Sequence, residues 1–115
     1  MLDLGDELPD TEVDLSRERV TAFATGLGMG FGRFTDDEMA RAEGLPGQIA
    51  PGIMSLALIS QALLHAIPGA RLERIGTTFR APAVAGQTAH VRGSVTEAHD
   101  ADEGRRIEVD VWMEN

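Results

Sequence analysis

An α+β domain, with antiparallel strands wrapped over one buried helix, is what this sequence predicts, and three observations carry the prediction. Residues 52–66, GIMSLALISQALLHA, are apolar on nearly every face of a helix, the pattern of a segment that sits inside a core. Residues 87–97 alternate, with Thr88, His90, Arg92, Ser94 and Thr96 on one face and Ala89, Val91, Gly93 and Val95 on the other. A second alternation sets Ile107, Val109, Val111 and Met113 against Glu108, Asp110, Trp112 and Glu114. Period-two alternation is the signature of half-buried strands, and two such strands in succession pair antiparallel over the helix.

Bulk properties bound the function. The 115 residues suit one domain over 1–115, and 43% apolar with 25% charged residues describes a globular chain. With no cysteine, disulfides, thiolate metal sites and a cysteine nucleophile are excluded. Lysine and tyrosine are also missing, which removes Schiff-base and phenolic-acid chemistry. A net charge of −9, with all ten positive charges on arginine, makes nucleic acid a poor partner. No basic segment precedes an apolar run at the start, and no run reaches about 18 apolar residues, so a cytoplasmic protein without a membrane segment is expected.

Along the chain, residues 1–10 form an acidic arm with the turn formers Gly5 and Pro9, and Thr11–Leu15 alternates as a short first strand. Ser16 suits the N-cap of a helix over 17–25, with Val20, Phe23 and Ala24 on one face. Four alternate glycines in 26–32 end it. Thr35 with Glu38 three residues on reads as a capping box opening a helix to Ala42, and Gly44-Leu-Pro-Gly47 closes it. Pro51 fits the first position of the central helix, which spans about 22 Å at 1.5 Å per residue, too short for a bilayer. Residues 72–80 read as a strand, broken at Pro82; the strands at 87–97 and 105–114 follow, separated by a polar turn at 99–104. A closing strand after 105–114 is missing, which implies an exposed edge or a partner.

Three separated segments carry a resemblance over residues 11–115: Phe34-Thr-Asp-Asp-Glu-Met-Ala-Arg-Ala-Glu-Gly-Leu-Pro-Gly47, Ile49-Ala-Pro-Gly-Ile53, and Phe79-Arg-Ala-Pro-Ala-Val-Ala-Gly86. Together they resemble the MaoC-like (R)-specific enoyl-CoA hydratase family. The resemblance implies a hot-dog fold, a curved antiparallel sheet around a long central helix and usually paired into dimers. It also implies reversible hydration of a trans-2-enoyl thioester of coenzyme A. In that family an aspartate and a histidine handle the water, and N–H groups at the start of the central helix hold the thioester oxygen. The family segment G-D-x-N-P-(I/L)-H places Gly28 on its glycine, Met29 on the aspartate and Phe34 on the histidine, with Phe31 and Gly32 at the Asn and Pro places. Only the glycine is kept. A thioether and a phenyl ring move no protons, so both general acid–base groups are missing. The family's helix-start Gly-Met is matched by Gly52 and Ile53, where the positive end of a helix favours a carbonyl oxygen; the family's preceding histidine is Pro51.

Each remaining feature has a plain structural reading beside a functional one. The glycine run fails G-x-G-x-x-G, because Phe31 or Arg33 falls at its third glycine, and so reads as a tight loop. Asp36, Asp37 and Glu38 read as a helix-start acidic cluster rather than metal ligands, and no metal or cofactor is expected. His65 suits the end of the central helix. His90 and His99 read as surface residues or as replacement acid–base groups. Ser55 either touches a substrate carbonyl or packs in the core, and Arg80 and Arg92 either meet coenzyme A phosphates or are solvated. Met29 and Phe34 read as linings of an acyl pocket.

The expected function is therefore a degenerate, acyl-thioester-binding subunit of a hetero-oligomeric hydratase, with coenzyme A or a carrier protein bearing the thioester. Two alternatives stand beside it: an active hydratase or other thioester enzyme using different residues, and a non-enzymatic homodimer that binds acyl thioesters.

Overall fold

The structure, a computed structural model, describes residues 2–78, 81–102 and 104–114. Its elements run β1 (Thr11–Leu15), α1 (Arg17–Gly26), a 3-10 turn (Gly32–Phe34), α2 (Asp37–Ala42), α3 (Gly52–Ala66), β2 (Gln87–Ala101) and β3 (Gly104–Glu114). The three strands form one antiparallel sheet in the order β1-β2-β3. Before β1, the acidic arm lies along the same strand, with Leu8 N–H donating to the Gly93 carbonyl at 2.8 Å and Gly5 N–H to Val95 at 2.9 Å.

Burial follows the period-two reading. Ala89, Val91, Gly93 and Val95 are buried on β2, while Thr88, Arg92 and Thr96 are exposed. The buried faces of β1 (Val13, Leu15) and β2 meet Met54, Leu58, Ile59 and Ala62 of α3, and Val20 of α1 completes the cluster. Val111 and Met113 of β3 pack on its margin only half-buried. Helix α3 runs from Gly52 to Ala66 as expected, but the sheet covers one side of it. Ile53 remains 55% exposed and Leu64 46%. An apolar residue on the far side of this helix thus faces solvent in the single chain.

Four local expectations are corrected. The cap of α2 is Asp36, whose carboxylate accepts from Met39 N–H at 2.9 Å, one residue beyond Thr35; both residue types cap well, and the 3-10 turn ending at Phe34 leaves Thr35 in the linker. Pro51 is the N-cap of α3 rather than its first helical residue, with φ −58° and ψ 143°. Strand β2 continues to Ala101, so the polar turn is shorter than 99–104, and a bulge between Val95 and Glu97 absorbs the extra length. Residues 72–78 form no strand. A strand requires a neighbour to receive its N–H and carbonyl groups, and β3 pairs only with β2 among the described residues. Residues 79 and 80 of that segment lie outside the described residues.

Candidate functional site

The loop between α1 and α2 is fixed by one carboxylate and one amide. Asp37, at the start of α2, accepts from Arg17 Nη1 at 2.5 Å and from the Gln48 backbone N–H at 2.7 Å, with Arg41 at 4.0 Å. The Arg17 hydrogen bond and then the Gln48 N–H hold the Asp37 carboxyl below its ordinary pKa, and Asp37 in turn raises Arg17. Gly47 permits this approach, since a Cβ there would sit 2.9 Å from Asp37 Oδ1.

Gln48 is itself buried, 3% exposed, in the segment that leads into α3. Its Nε2 donates to the Phe34 carbonyl at 2.7 Å and to Thr21 Oγ1 at 2.9 Å. Ile49 N–H donates to the Arg33 carbonyl at 3.1 Å, and Ala85 N–H donates to the Gln48 carbonyl at 2.8 Å. One short segment therefore joins α1, the 3-10 turn, α2 and the approach to β2, and it ends at the first turn of α3. No periodicity marks Gln48 in the sequence. The only hint is an isolated polar residue between Gly47 and Ile49, just before an apolar helix.

The candidate residues fall around this junction. Gly28 and Gly32 have φ of +76° and +62°, the left-handed region that glycine enters without Cβ strain. Gly28 turns the chain so that Met29 N–H reaches back to the Ala24 carbonyl at 2.8 Å. Met29 and Phe34 are half-buried, and the Arg33 guanidinium lies 5.4 Å from the Phe34 ring centroid. At the head of α3, Met54 N–H donates to the Pro51 carbonyl at 2.9 Å; the Gly52 and Ile53 N–H groups precede the first intrahelical bond and point out of the helix end. Ser55 is buried while Ile53 is exposed, as expected for residues about 200° apart on a helix.

Other expected positions lie elsewhere. Arg92 is on the opposite face of the sheet from α3, with Nη1 2.9 Å from Glu114 and Nη2 3.5 Å from Asp10. Two carboxylates already offset its charge, which leaves it poorly suited to a phosphate. His90 shares that outer face, with Nδ1 3.1 Å from Asp10 Oδ1, so this pair does not reach the helix start. His99 Nδ1 is 3.9 Å from Glu97. Arg80 lies outside the described residues. A shallow cleft between α1 and α2 is lined by Arg17, Thr21, Asp37 and Gln48, and a larger groove lies beside β3; neither is lined by Met29, Phe34, Gly52, Ile53 or Ser55.

The family model described as MaoC like domain matches residues 9–114. A chain of the ChsH1-ChsH2 complex from Mycobacterium tuberculosis superposes with a TM-score of 0.76 at 18% identity, covering 98% of each chain. The (R)-hydratase from A. caviae involved in PHA biosynthesis also gives 0.76 at 18% identity, over 97% of this chain and 86% of that one. R-hydratase PhaJ1 from Pseudomonas aeruginosa gives 0.68 at 24% identity, over 96% and 78%. At such identities the superpositions establish the fold. No curated protein sequence matches the chain. The match over residues 9–114 and the superpositions lead to one assignment: the chain belongs to the MaoC-like domain family and has its hot-dog fold.

Proposed function

We propose that this protein binds an acyl thioester at the head of α3 without hydrating it, as the non-catalytic member of a pair of hot-dog subunits. One observation carries the reading. The two segments that the Gln48 junction joins, 26–34 and 49–56, contain a single ionisable side chain, Arg33. Met29 and Phe34, where relatives of the resembling family have aspartate and histidine, supply apolar surface instead. Loss of either group of an acid–base pair costs roughly 10²–10⁴-fold in rate. The donors for a thioester oxygen remain, because the Gly52 and Ile53 N–H groups have no partner within the helix. Met29 and Phe34 then flank the acyl chain, and a second subunit brings the aspartate and histidine. The half-open helix face at Ile53 supports the need for that second subunit. The solved ChsH1-ChsH2 and HadBC complexes, each of two named components, are precedents within the fold.

A direct test is calorimetric titration with butyryl-CoA, a saturated thioester that cannot be hydrated, beside free coenzyme A. The reading predicts tighter binding of the thioester. Gly52→Pro deletes one N–H at the first helical position, where proline is well tolerated, and Pro51 already has the extended geometry that a residue before proline needs. Affinity should fall about fivefold, the equivalent of ~1 kcal/mol for one hydrogen bond. Equal binding of butyryl-CoA by the two proteins would overturn the assignment of the oxygen to this helix end.

A further inference from the structure

Eight carboxylates stand on the face of the sheet turned away from α3, against two arginines, Arg92 and Arg106. The arm and β1 supply Glu7, which bridges to Ser94, together with Asp10, Glu12 and Asp14. Strands β2 and β3 supply Glu97, Glu108, Asp110 and Glu114. Both arginines are engaged already, Arg92 with Asp10 and Glu114 and Arg106 with Glu73. His90 and His99, on the same face, add charge only when protonated. Glu7, Glu12, Glu108 and Asp110 have no ion-pair partner among the described residues. Glu108 also stands directly opposite Glu97, a like-charge pair that weakens the β2–β3 pairing. The carboxylates do not converge, since no three acidic or histidine groups among the described residues are placed to hold a metal ion. Their spread suits an extended cationic surface rather than a point cation.

Trp112 lies within this acidic field. It is 43% exposed, with Arg92 directly across on β2 and Asp110 and Glu114 two residues away on the same face of β3. Arg92 turns to its carboxylates, and the one cation–π contact among the described residues is at Phe34. The indole therefore offers a ring without a cation between two carboxylates. A guanidinium from outside can stack on that ring and pair with Asp110 in one placement. A further strand beside β3 would widen this face and leave it uncovered, because strand side chains stand perpendicular to the sheet. A second copy is a poor occupant, since two such faces bring the same carboxylate excess together with no unengaged arginine between them.

We infer that the outer face of the sheet docks an arginine-bearing surface of a different protein, with one arginine stacked on Trp112 beside Asp110. The inference rests on the sheet face alone and holds whether or not the head of α3 binds a thioester.

Trp112 is the only tryptophan and the chain has no tyrosine, so intrinsic emission reports on this face directly. The probes are three capped peptides of equal length that alternate serine with arginine, with lysine or with glutamate. The arginine peptide should shift Trp112 emission and bind roughly three- to fivefold more tightly than the lysine peptide, the margin of one guanidinium stacked on an exposed ring. The glutamate peptide should not bind. Glu12→Gln with Asp110→Asn should weaken the arginine peptide roughly fivefold. Glu18→Gln with Glu38→Gln removes the same charge from α1 and α2 and should leave its affinity unchanged. Equal loss in the two double variants would reduce the binding to net charge and overturn the inference. Unchanged Trp112 emission, or equal affinity for the arginine and lysine peptides, would overturn it as well. So would an emission change on dilution of the protein alone, which would give the face to a second copy. None of these results depends on an acyl thioester, so they leave the reading of the α3 head untouched.

Discussion

Replacing Gln48 by methionine keeps the length of the side chain while deleting its amide, and the structure fixes what that deletion costs. Two good hydrogen bonds disappear, to the Phe34 carbonyl at 2.7 Å and to Thr21 Oγ1 at 2.9 Å; the contact to the Arg17 carbonyl at 3.5 Å is too long to count. Each bond contributes about 1 kcal/mol net, and the Phe34 carbonyl left without its donor adds a desolvation cost, so the total is about 2–4 kcal/mol. Unfolding entropy near 2.1 cal/mol/K per residue gives roughly 0.24 kcal/mol/K for a chain of this size. The melting temperature should therefore fall by about 8–16 °C, measured by calorimetry. Hydrogen exchange should place the loosening at the 3-10 turn, which the Gln48 amide holds to the segment before α3 together with the Ile49 N–H. A fall of under about 2 °C, or loosening confined to the sheet, would refute the role given to this side chain.

Two other predictions concern charge and close approach. Asp37 has its pKa depressed in the folded state by Arg17 and by the Gln48 N–H, so its stabilisation is complete above the unfolded value near 4 and is lost as pH falls through the lower folded value; Asp37→Asn should reduce stability at neutral pH and flatten the decline below about pH 4, and parallel wild-type and variant curves in urea melts would contradict this. Gly93→Ala places a Cβ 2.9 Å from the Asp110 carbonyl and 3.1 Å from Leu8 Cδ1, which should cost about 1–3 kcal/mol by urea midpoint, whereas Gly26→Ala meets nothing within 4 Å and should be neutral or stabilising; equal effects would remove the steric argument.

What the sequence discloses depends on how local the determining physics is. Helix α3 is legible to its ends because Pro51 and Pro68 bracket a run of good helix formers. The faces of β2 and β3 are legible because period two is written in each strand alone. Residues 72–78 mislead for the opposite reason: their composition suits a strand, but a strand exists only where a neighbour accepts its hydrogen bonds. The cap of α2 moves by one residue because Thr35 and Asp36 compete for the same role. Gln48 escapes notice since its side-chain partners, Phe34 and Thr21, lie 14 and 27 residues away in the chain. The reading of Met29 and Phe34 as replaced positions rests on the family resemblance alone, while the hydrogen bonds from Gln48 and Ile49 to Phe34 and Arg33 tie the end of their loop to the segment before α3. The charge balance that engages Arg92 with Asp10 and Glu114 becomes visible only once β1, β2 and β3 are placed side by side.

The proposed function requires that the head of α3 retain a thioester site whose proton-transfer pair has been replaced. Hydration of a short and a long trans-2-enoyl-CoA, followed by loss of enoyl absorbance, tests it most directly when the parent protein is assayed beside the Met29→Asp, Phe34→His double variant. The parent should be silent and the double variant should turn over. Clear turnover by the parent, unchanged in the double variant, would contradict it and place the chemistry on other residues.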